Sequence, residues 1–507
     1  MLPSLLAFIF NLLVILDLQH QTVCFEECYK KDVNNQSNMN CNASLAQKKS
    51  RLLHLPNHKE PSNKKDNISR FLGNINNYPT LNDPRYVIQN GRHPTIIWWT
   101  NSFYPHDEKD TILQCPRGPC HVTSNREYYW SNTTRAFVFY GTSFRANDLP
   151  LPRLPHHEWA LIHEESPKNN WILSDPLGIS VFNHTATFRR ESDYPLTTHF
   201  IRDVDEWFDE EYYVTTADKN RFQKKEGLGI AVYVQRDCEP PSDRDAYVRE
   251  LMKHIKIDSY GPCVNNKKMP REINGFVKLS SEKYYHFLAK YKFQIAFENC
   301  RCKDYMTEKV FRPLCIGSVP VYLGSKEARD LMPSNKSIIM VDDFESPKDL
   351  ADFLIAVNAN DTLYEEYLQH RKTKTITNPK LLNILKNQPW KLLHKNYKTN
   401  FGHYMFSGYT CYVCDQLHLR NQNLKQHLKD RNKHPIMPPH VADQSHLGCS
   451  LPVRTIQRPN EDHYYKQTVY NYGNEEAKAL VQMLQANETD TKTFERKYLK
   501  RKTDRYP

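Results

Sequence analysis

FENCRCKDYMTEKVFRPLCIGSVPVYLG, residues Phe297–Gly324, reads as one strand–loop–helix–turn–strand unit. An apolar run (Phe293, Ile295, Phe297) leads into a polar loop with Asp304 and Tyr305, then Thr307-Glu308-Lys309. An apolar segment, Gly317 and a second apolar run, Val319–Leu323, complete a βαβ unit. Ligands in open α/β sheets bind at the carboxyl ends of strands, so chemistry is expected between Phe297 and Lys309. Thr307 is the expected N-cap, aiming free backbone N–H groups and the helix dipole at an anion. Lys309 adds a full positive charge there, as a phosphate or diphosphate requires. An ordinary βαβ unit with a solvated loop would show the same pattern, so the rest of the chain has to decide.

Working outward, the preceding segments repeat the alternation. Ile230–Val234 reads as a strand, and Cys238–Arg244 as a loop. Asp243–Ile255 sets Tyr247, Val248, Leu251, Met252 and Ile255 on one helical face. Ile257–Tyr260 is a short strand and Ser281–Lys290 a helix. Further back, Thr95–Thr100 and Arg135–Tyr140 read as strands, and Trp159–Ile162 runs into His163-Glu164-Glu165-Ser166-Pro167. Pro167 pushes Ser166 towards an extended conformation, placing Glu165 where a strand stops and a loop begins. Val181–Arg190 is partly strand-like. Strand and helix alternate throughout, which implies an α/β fold of two doubly wound lobes with a cleft between them. The expected organisation is a leader (1–23), a stem (24–85), a first lobe (86–225), a second lobe (226–400) and a basic C-terminal segment (401–507).

Composition narrows the classes. With 507 residues, 39% of them hydrophobic, the chain can bury two or three cores. A net charge of +11 suits an anionic ligand but is too mild over this length to imply nucleic acid. Leu2–Leu16 is apolar and short for a membrane span, which needs roughly 20 residues. It fits a signal-peptide core or a short signal-anchor, so entry into the secretory pathway is expected, with membrane attachment through this segment if it is not cleaved. Eight N-glycosylation sequons, at Asn35, Asn42, Asn67, Asn132, Asn183, Asn335, Asn360 and Asn487, matter only in a lumenal chain. Thirteen cysteines are natural there too.

Two metal patterns need weighing. Cys411-x2-Cys414-x12-His427-x6-His434 approaches the spacing of a Cys2His2 zinc finger. Its last interval is long, His418 takes the core aromatic position, and the leader delivers the chain to an oxidising lumen. The better reading pairs Cys411 and Cys414 with Cys115 and Cys120 of the first lobe. Asp203-Val-Asp205 is a D-x-D of the kind that holds a metal–diphosphate, but in an acidic stretch it reads more simply as a solvated face.

In order, Phe297-Glu-Asn299, Asp304-Tyr305, Thr307-Glu-Lys309, Gly317-Ser-Val-Pro-Val321 and Gly324 closely resemble the signature of alpha-1,3-fucosyltransferases, glycosyltransferase family 10. Glu165-Ser-Pro167 resembles the family's E-S-P, Asn183–Asp193 its N-x-T, R-R-D-S-D segment, and Arg244 its donor-lobe arginine. Asp343–Pro347 resembles a later landmark, and Cys411-x2-Cys414 the terminal CxxC that the family pairs with two upstream cysteines. HEESPKNN (163–170) and FRPL (311–314) look most like the branch numbered ten and eleven, also described as protein O-fucosyltransferases of the endoplasmic reticulum that modify EMI domains.

The resemblance implies the GT-B arrangement of two Rossmann-like lobes and inverting transfer of fucose from GDP-β-L-fucose, with no divalent metal required. It implies Glu165 as the base that takes the acceptor hydroxyl proton. It implies Arg244 and Lys309 on the diphosphate, Glu308 on ribose or fucose hydroxyls, and Asn299, Tyr260 and Tyr305 around the nucleotide. Pro313-Leu314 stands where the usual members carry Asn-Ala, and a proline there is expected to shorten or kink the helix. That departure and the altered E-S-P context point away from the N-acetyllactosamine acceptor. The expected acceptors are Ser or Thr of a folded disulfide-rich domain, or alternatively GlcNAc of an N-glycan. A non-catalytic lumenal binding protein on the same scaffold is the reading from another class. Residence is expected in the endoplasmic reticulum or Golgi, as a single-pass type II membrane protein.

Overall fold

Two largely parallel β-sheets organise the chain in the computed structural model, which describes residues 83–100, 102–201, 203–238, 240–275, 281–389, 401–442, 449 and 470–499. The leader, nearly all of the stem and the sequons Asn35, Asn42 and Asn67 lie outside these residues. The first sheet contains β1 (Thr95–Trp98), β2 (Asp110–Leu113), β3 (Cys120–Thr123), β4 (Thr134–Tyr140), β5 (Glu158–His163) and β6 (His184–Thr187). Their order is β2-β3-β1-β4-β5-β6, parallel except for the antiparallel edge pair β2–β3. The second sheet contains β7 (Ala231–Val234), β8 (Ile257–Tyr260), β9 (Phe293–Phe297), β10 (Val319–Leu323) and β11 (Ile339–Met340). It is parallel, in the order β11-β10-β9-β7-β8.

That second order fixes where a ligand can bind. From β7 the chain first steps outward to β8, then returns to the other side of β7 to lay down β9. Strand order therefore reverses between β7 and β9, and their carboxyl ends open a crevice. The loops that leave those two ends carry Arg244 and Phe297–Lys309.

Apart from the edge strand β2, both sheets are buried on both faces, and β1, β4, β9 and β10 read as largely apolar runs. The second sheet is covered on one face by α1 (Arg244–Leu251) and α4 (Pro347–Ala359), through Tyr247, Val248, Leu251, Leu350 and Leu354. On the other face lie α2 (Glu282–Ala289) and α3 (Glu308–Cys315). Pro313 costs α3 one backbone hydrogen bond but does not stop it, and the helix runs on to Cys315. The expected shortening at Pro313 is therefore not seen, since the helix continues for two residues beyond it.

The first sheet is covered by segments from the far end of the chain. The strand period of 2 sends Ile96, Trp98, Val138 and Ile162 to one face, where α5 (Phe401–Lys429) packs Phe406, Tyr409 and Val413 against them. Phe137, Phe139, Trp159 and Leu161 meet α6 (Asn471–Gln485) through Ala477, Leu480, Val481 and Met483 on the other face. The C-terminal segment that sequence composition suggests is a basic tail thus supplies, in its described part, both outer layers of the first lobe.

Disulfides Cys115–Cys411 and Cys120–Cys414 clamp α5 beside β3. They take both CxxC sulfurs away from zinc, and His427 Nδ1 lies 2.6 Å from the His434 carbonyl oxygen. Cys238–Cys263 and Cys302–Cys449 are two further bridges. The D-x-D acts as a cap: Asp203 accepts from the Asp205 backbone N–H at 3.2 Å. Sequons Asn132, Asn335, Asn360 and Asn487 are exposed. Asn183 corrects the sequence expectation. It is 5% exposed, its Oδ1 accepts from Trp159 N and Arg153, and its Nδ2 donates to the His440 carbonyl, which leaves no room for a glycan. Among the described residues no helix is long and apolar enough to cross a membrane.

Candidate active site

The loop after β9 is built around a buried carboxylate, Glu298, which follows the last strand residue and is 0% exposed. Its Oε1 accepts from the Thr307 backbone N–H at 2.8 Å and its Oε2 from the Thr307 hydroxyl at 2.9 Å. This folds the loop back so that α3 begins directly over the strand end. Thr307 is the N-cap, its hydroxyl accepting from Lys309 N. Asp304 adopts φ 66°, a left-handed turn uncommon outside glycine, and is 0% exposed. Arg190 of the first lobe holds it there, Nε to Oδ1 at 2.8 Å, while Ser325 Oγ lies 2.9 Å from its backbone N. Tyr305 is thereby turned into the cleft.

Lys309 sits at the centre of the charge cluster. Its Nζ lies 2.9 Å from Thr307 Oγ1, 3.2 Å from Glu308 Oε1 and 3.5 Å from Glu298 Oε2. Burial disfavours the ammonium, but Glu308 and Glu298 outweigh it and hold its pKa above the usual lysine value. Burial also opposes the Glu308 carboxylate, yet Lys309 and Arg312 pull its pKa down to about 2. Both groups are therefore ionised at neutral pH. Arg312 follows Glu308 by one turn of α3, with its guanidinium 5.4 and 5.9 Å from the Tyr284 and Tyr285 rings.

Arg244, the first residue of α1, is 1% exposed and spans the crevice floor. Its guanidinium donates to the Phe297 carbonyl at 3.0 Å and the Asp237 carbonyl at 2.7 Å, joining the loops that follow β9 and β7. Arg244 therefore braces the loops as well as lending charge.

Glu165 arrives from the other lobe. Strand β5 ends at His163, and Pro167 turns the chain away, as the sequence suggests. Its Oε2 accepts from the Tyr305 hydroxyl at 3.3 Å, a contact across the cleft between residues 140 apart in sequence. Burial raises the Glu165 pKa, with Lys309 opposing and Glu308 reinforcing the rise. The following residues repeat the junction: Ser166 donates to Asn299 Oδ1 at 2.9 Å, and Lys168 pairs with Asp237.

Glu165, Tyr305, Glu308, Lys309 and Arg244 are thus gathered at one place. Asn299 stands at its edge as a lobe-to-lobe contact. The structure does not bring Tyr260 to this group. Although Tyr260 ends β8, its hydroxyl turns to that of Tyr291, 3.1 Å away, which in turn donates to Asp258. Sequence reading missed Glu298, Asp237, Lys168 and the Arg190–Asp304 pair. Arg312 had a signal, a cation four residues after Glu308 on one helix. The inter-lobe pairs have no local signal, being brought together by topology alone.

Chemically, the arrangement offers an anion site walled by Lys309, Arg244 and the α3 amino terminus. One partly buried carboxylate faces it from the opposite lobe. Residues 91–198 match the model of the fucosyltransferase N-terminal domain, and residues 222–433 that of the glycosyltransferase family 10 (fucosyltransferase) C-terminal domain. A rat (Rattus norvegicus) protein named GDP-fucose protein O-fucosyltransferase 3 is 41% identical over 73% of this chain and 73% of its own. The Xenopus laevis protein of that name is 36% identical over 88% of this chain and 89% of its own. A crystal structure of an alpha1,3-fucosyltransferase is 16% identical, with a TM-score of 0.35 over 59% of this chain and 92% of that one. With matched residues that include Glu165, Arg244 and the Glu308–Lys309 pair, this chain belongs to the fucosyltransferases of glycosyltransferase family 10.

Proposed function

We propose that this protein is an inverting fucosyltransferase that moves L-fucose from GDP-β-L-fucose to Ser or Thr of a folded, disulfide-rich protein domain of the EMI type. The observation that carries this reading is the meeting of Glu165 with Tyr305 across the cleft, beside Lys309 and Glu308. The two sheets, each flanked by helices, fit a GT-B arrangement, and the relatives' names favour a protein acceptor over GlcNAc of an N-glycan. In the reaction, the acceptor oxygen attacks the anomeric carbon while its proton passes to Glu165. The bond to the β-phosphate oxygen breaks, and its electron pair leaves with GDP. Lys309 and the α3 amino terminus stabilise the charge that builds on that phosphate, with Arg244 reinforcing the field, so no divalent metal is required. Glu308, held ionised, accepts hydrogen bonds from ribose or fucose hydroxyls. Asn299 and Tyr305 line the donor side. The apolar leader, exposed sequons and disulfides support residence in the lumen of the endoplasmic reticulum or Golgi, with the leader as the membrane contact.

Glu165→Gln tests the reading. It should lower transfer to a recombinant EMI domain by roughly 10²–10⁴-fold while GDP-fucose binding by calorimetry is kept. Unchanged transfer would remove Glu165 as the base. Label from GDP-fucose released by β-elimination marks O-fucose, whereas release by N-glycosidase would shift the acceptor to a glycan.

A further inference from the structure

The residue before the base is also a carboxylate. Glu164 is 8% exposed, and only one of its oxygens has a hydrogen-bond partner: Oε1 accepts from the Tyr140 hydroxyl at 2.8 Å. Its Oε2 is enclosed with no partner among the described residues. A buried carboxylate kept for structure normally has both oxygens satisfied, because each unpaired one is costly. The Tyr140 contact is itself built in. Tyr140 ends β4, and Gly141 lets the next turn pass against β5, where an added Cβ would lie 2.3 Å from the His163 ring.

We propose that Glu164 is a positioning residue that acts through Glu165: once it has lost its proton, its charge makes the neighbouring carboxylate a stronger base. The inference rests on the reading of Glu165 as the base. Burial first, and then the charge on Glu165, push the Glu164 pKa up to about 7. The groups around the pair are few. Tyr140 faces it from β4, and His163 precedes it on β5, kept uncharged by burial with a pKa of about 3. Lys168 follows on the next turn, and Tyr305, Glu308 and Lys309 face Glu165 from the second lobe. Among them, Glu164 is the group that burial and the neighbouring charge bring to about 7. When Glu165 takes the acceptor proton, it loses its own charge and the repulsion between the two carboxylates disappears. An ionised Glu164 therefore favours proton transfer, and a neutral one does not.

The test is the pH profile of kcat/KM for transfer from GDP-fucose to an EMI domain. The wild-type profile should show, besides its acid limb, a second rise with an inflexion near pH 7. Glu164→Gln should abolish that rise and leave the rate several-fold lower above it, with the KM for GDP-fucose unchanged. Glu164→Asp should retain a rise. Tyr140→Phe removes the one donor to Oε1 and should move the inflexion to higher pH, an independent check if the Gln variant folds poorly. A wild-type profile without the inflexion, or one unchanged in both Glu164→Gln and Tyr140→Phe, overturns the proposal. Because Glu165→Gln is scored separately by loss of transfer, failure of the base reading and failure of this inference give different results.

Discussion

At the scale of single residues, Lys309 serves two charges at once. Its ammonium is the leading influence that lowers the Glu165 pKa against burial, and it is among those holding Glu308 ionised at about 2. A depressed carboxylate contributes stability above its unfolded pKa and loses it as pH falls through the folded value. Lys309→Met should therefore do more than weaken donor binding. Glu165 rises further, so the acid limb of kcat/KM moves to higher pH, and overall kcat/KM drops by roughly 10²-fold. Lys309→Arg keeps the charge and should return the acid limb close to its original place, even if the bulkier fork binds the donor less well. A lost rate with an unmoved acid limb would show that Lys309 serves only the donor. The same residues show what a sequence reveals. Thr307, Glu308 and Lys309 were legible because a cap and a helix start are local features. Glu298 was not, because nothing in its neighbourhood signals that a carboxylate after an apolar strand will be buried and used to tie down the next helix.

At the scale of elements, the strands around the site were legible almost to the residue, since a buried parallel strand is an apolar run bounded by polar loops. The observed spans of β8, β9 and β10 coincide with those read from the sequence. The two bridges to α5 carry a sharper consequence. Cys115–Cys411 and Cys120–Cys414 close loops of 296 and 294 residues, but they are nearly parallel. With one bridge intact, the other closes only the short segments between 115 and 120 and between 411 and 414. In the chain-entropy account the long loop is counted once, so losing either bridge alone costs about 3 kcal/mol, and losing both costs about 5 kcal/mol more. Cys411→Ser and Cys414→Ser should each lower Tm, and the double variant should cost about 8 kcal/mol against about 6 kcal/mol for their sum. Additive shifts in calorimetry would mean that the bridges stabilise through native contacts and not through the unfolded chain.

For the whole molecule, the decisive feature is that α6, from the far end of the chain, completes the first core. Composition hid this because the stretch around α6 is polar and basic, although the helix itself buries Leu480, Val481 and Met483 beside its small residues. Gly473 lies so close to the 171 backbone that an added Cβ would be 2.5 Å from the Trp171 carbonyl oxygen, and Ala477 and Ala479 are buried beside it. The first lobe thus depends on chain made after the second lobe, and the placing of Glu165, the proposed base, depends on both. Leu480 is 0% exposed against Trp159 and its neighbours, so Leu480→Ala should cost about 3 kcal/mol. Deleting residues 470–507 should leave the Phe139–Trp159–Leu173 face bare and yield aggregated chain without transfer activity. A shortened chain that melts and transfers fucose like the full one would mean that α6 only rests on a core closed by other residues. The Leu480→Ala variant separates the two cases: if α6 closes the core, Tm falls several degrees while the KM for GDP-fucose, whose proposed site lies in the other lobe, stays the same.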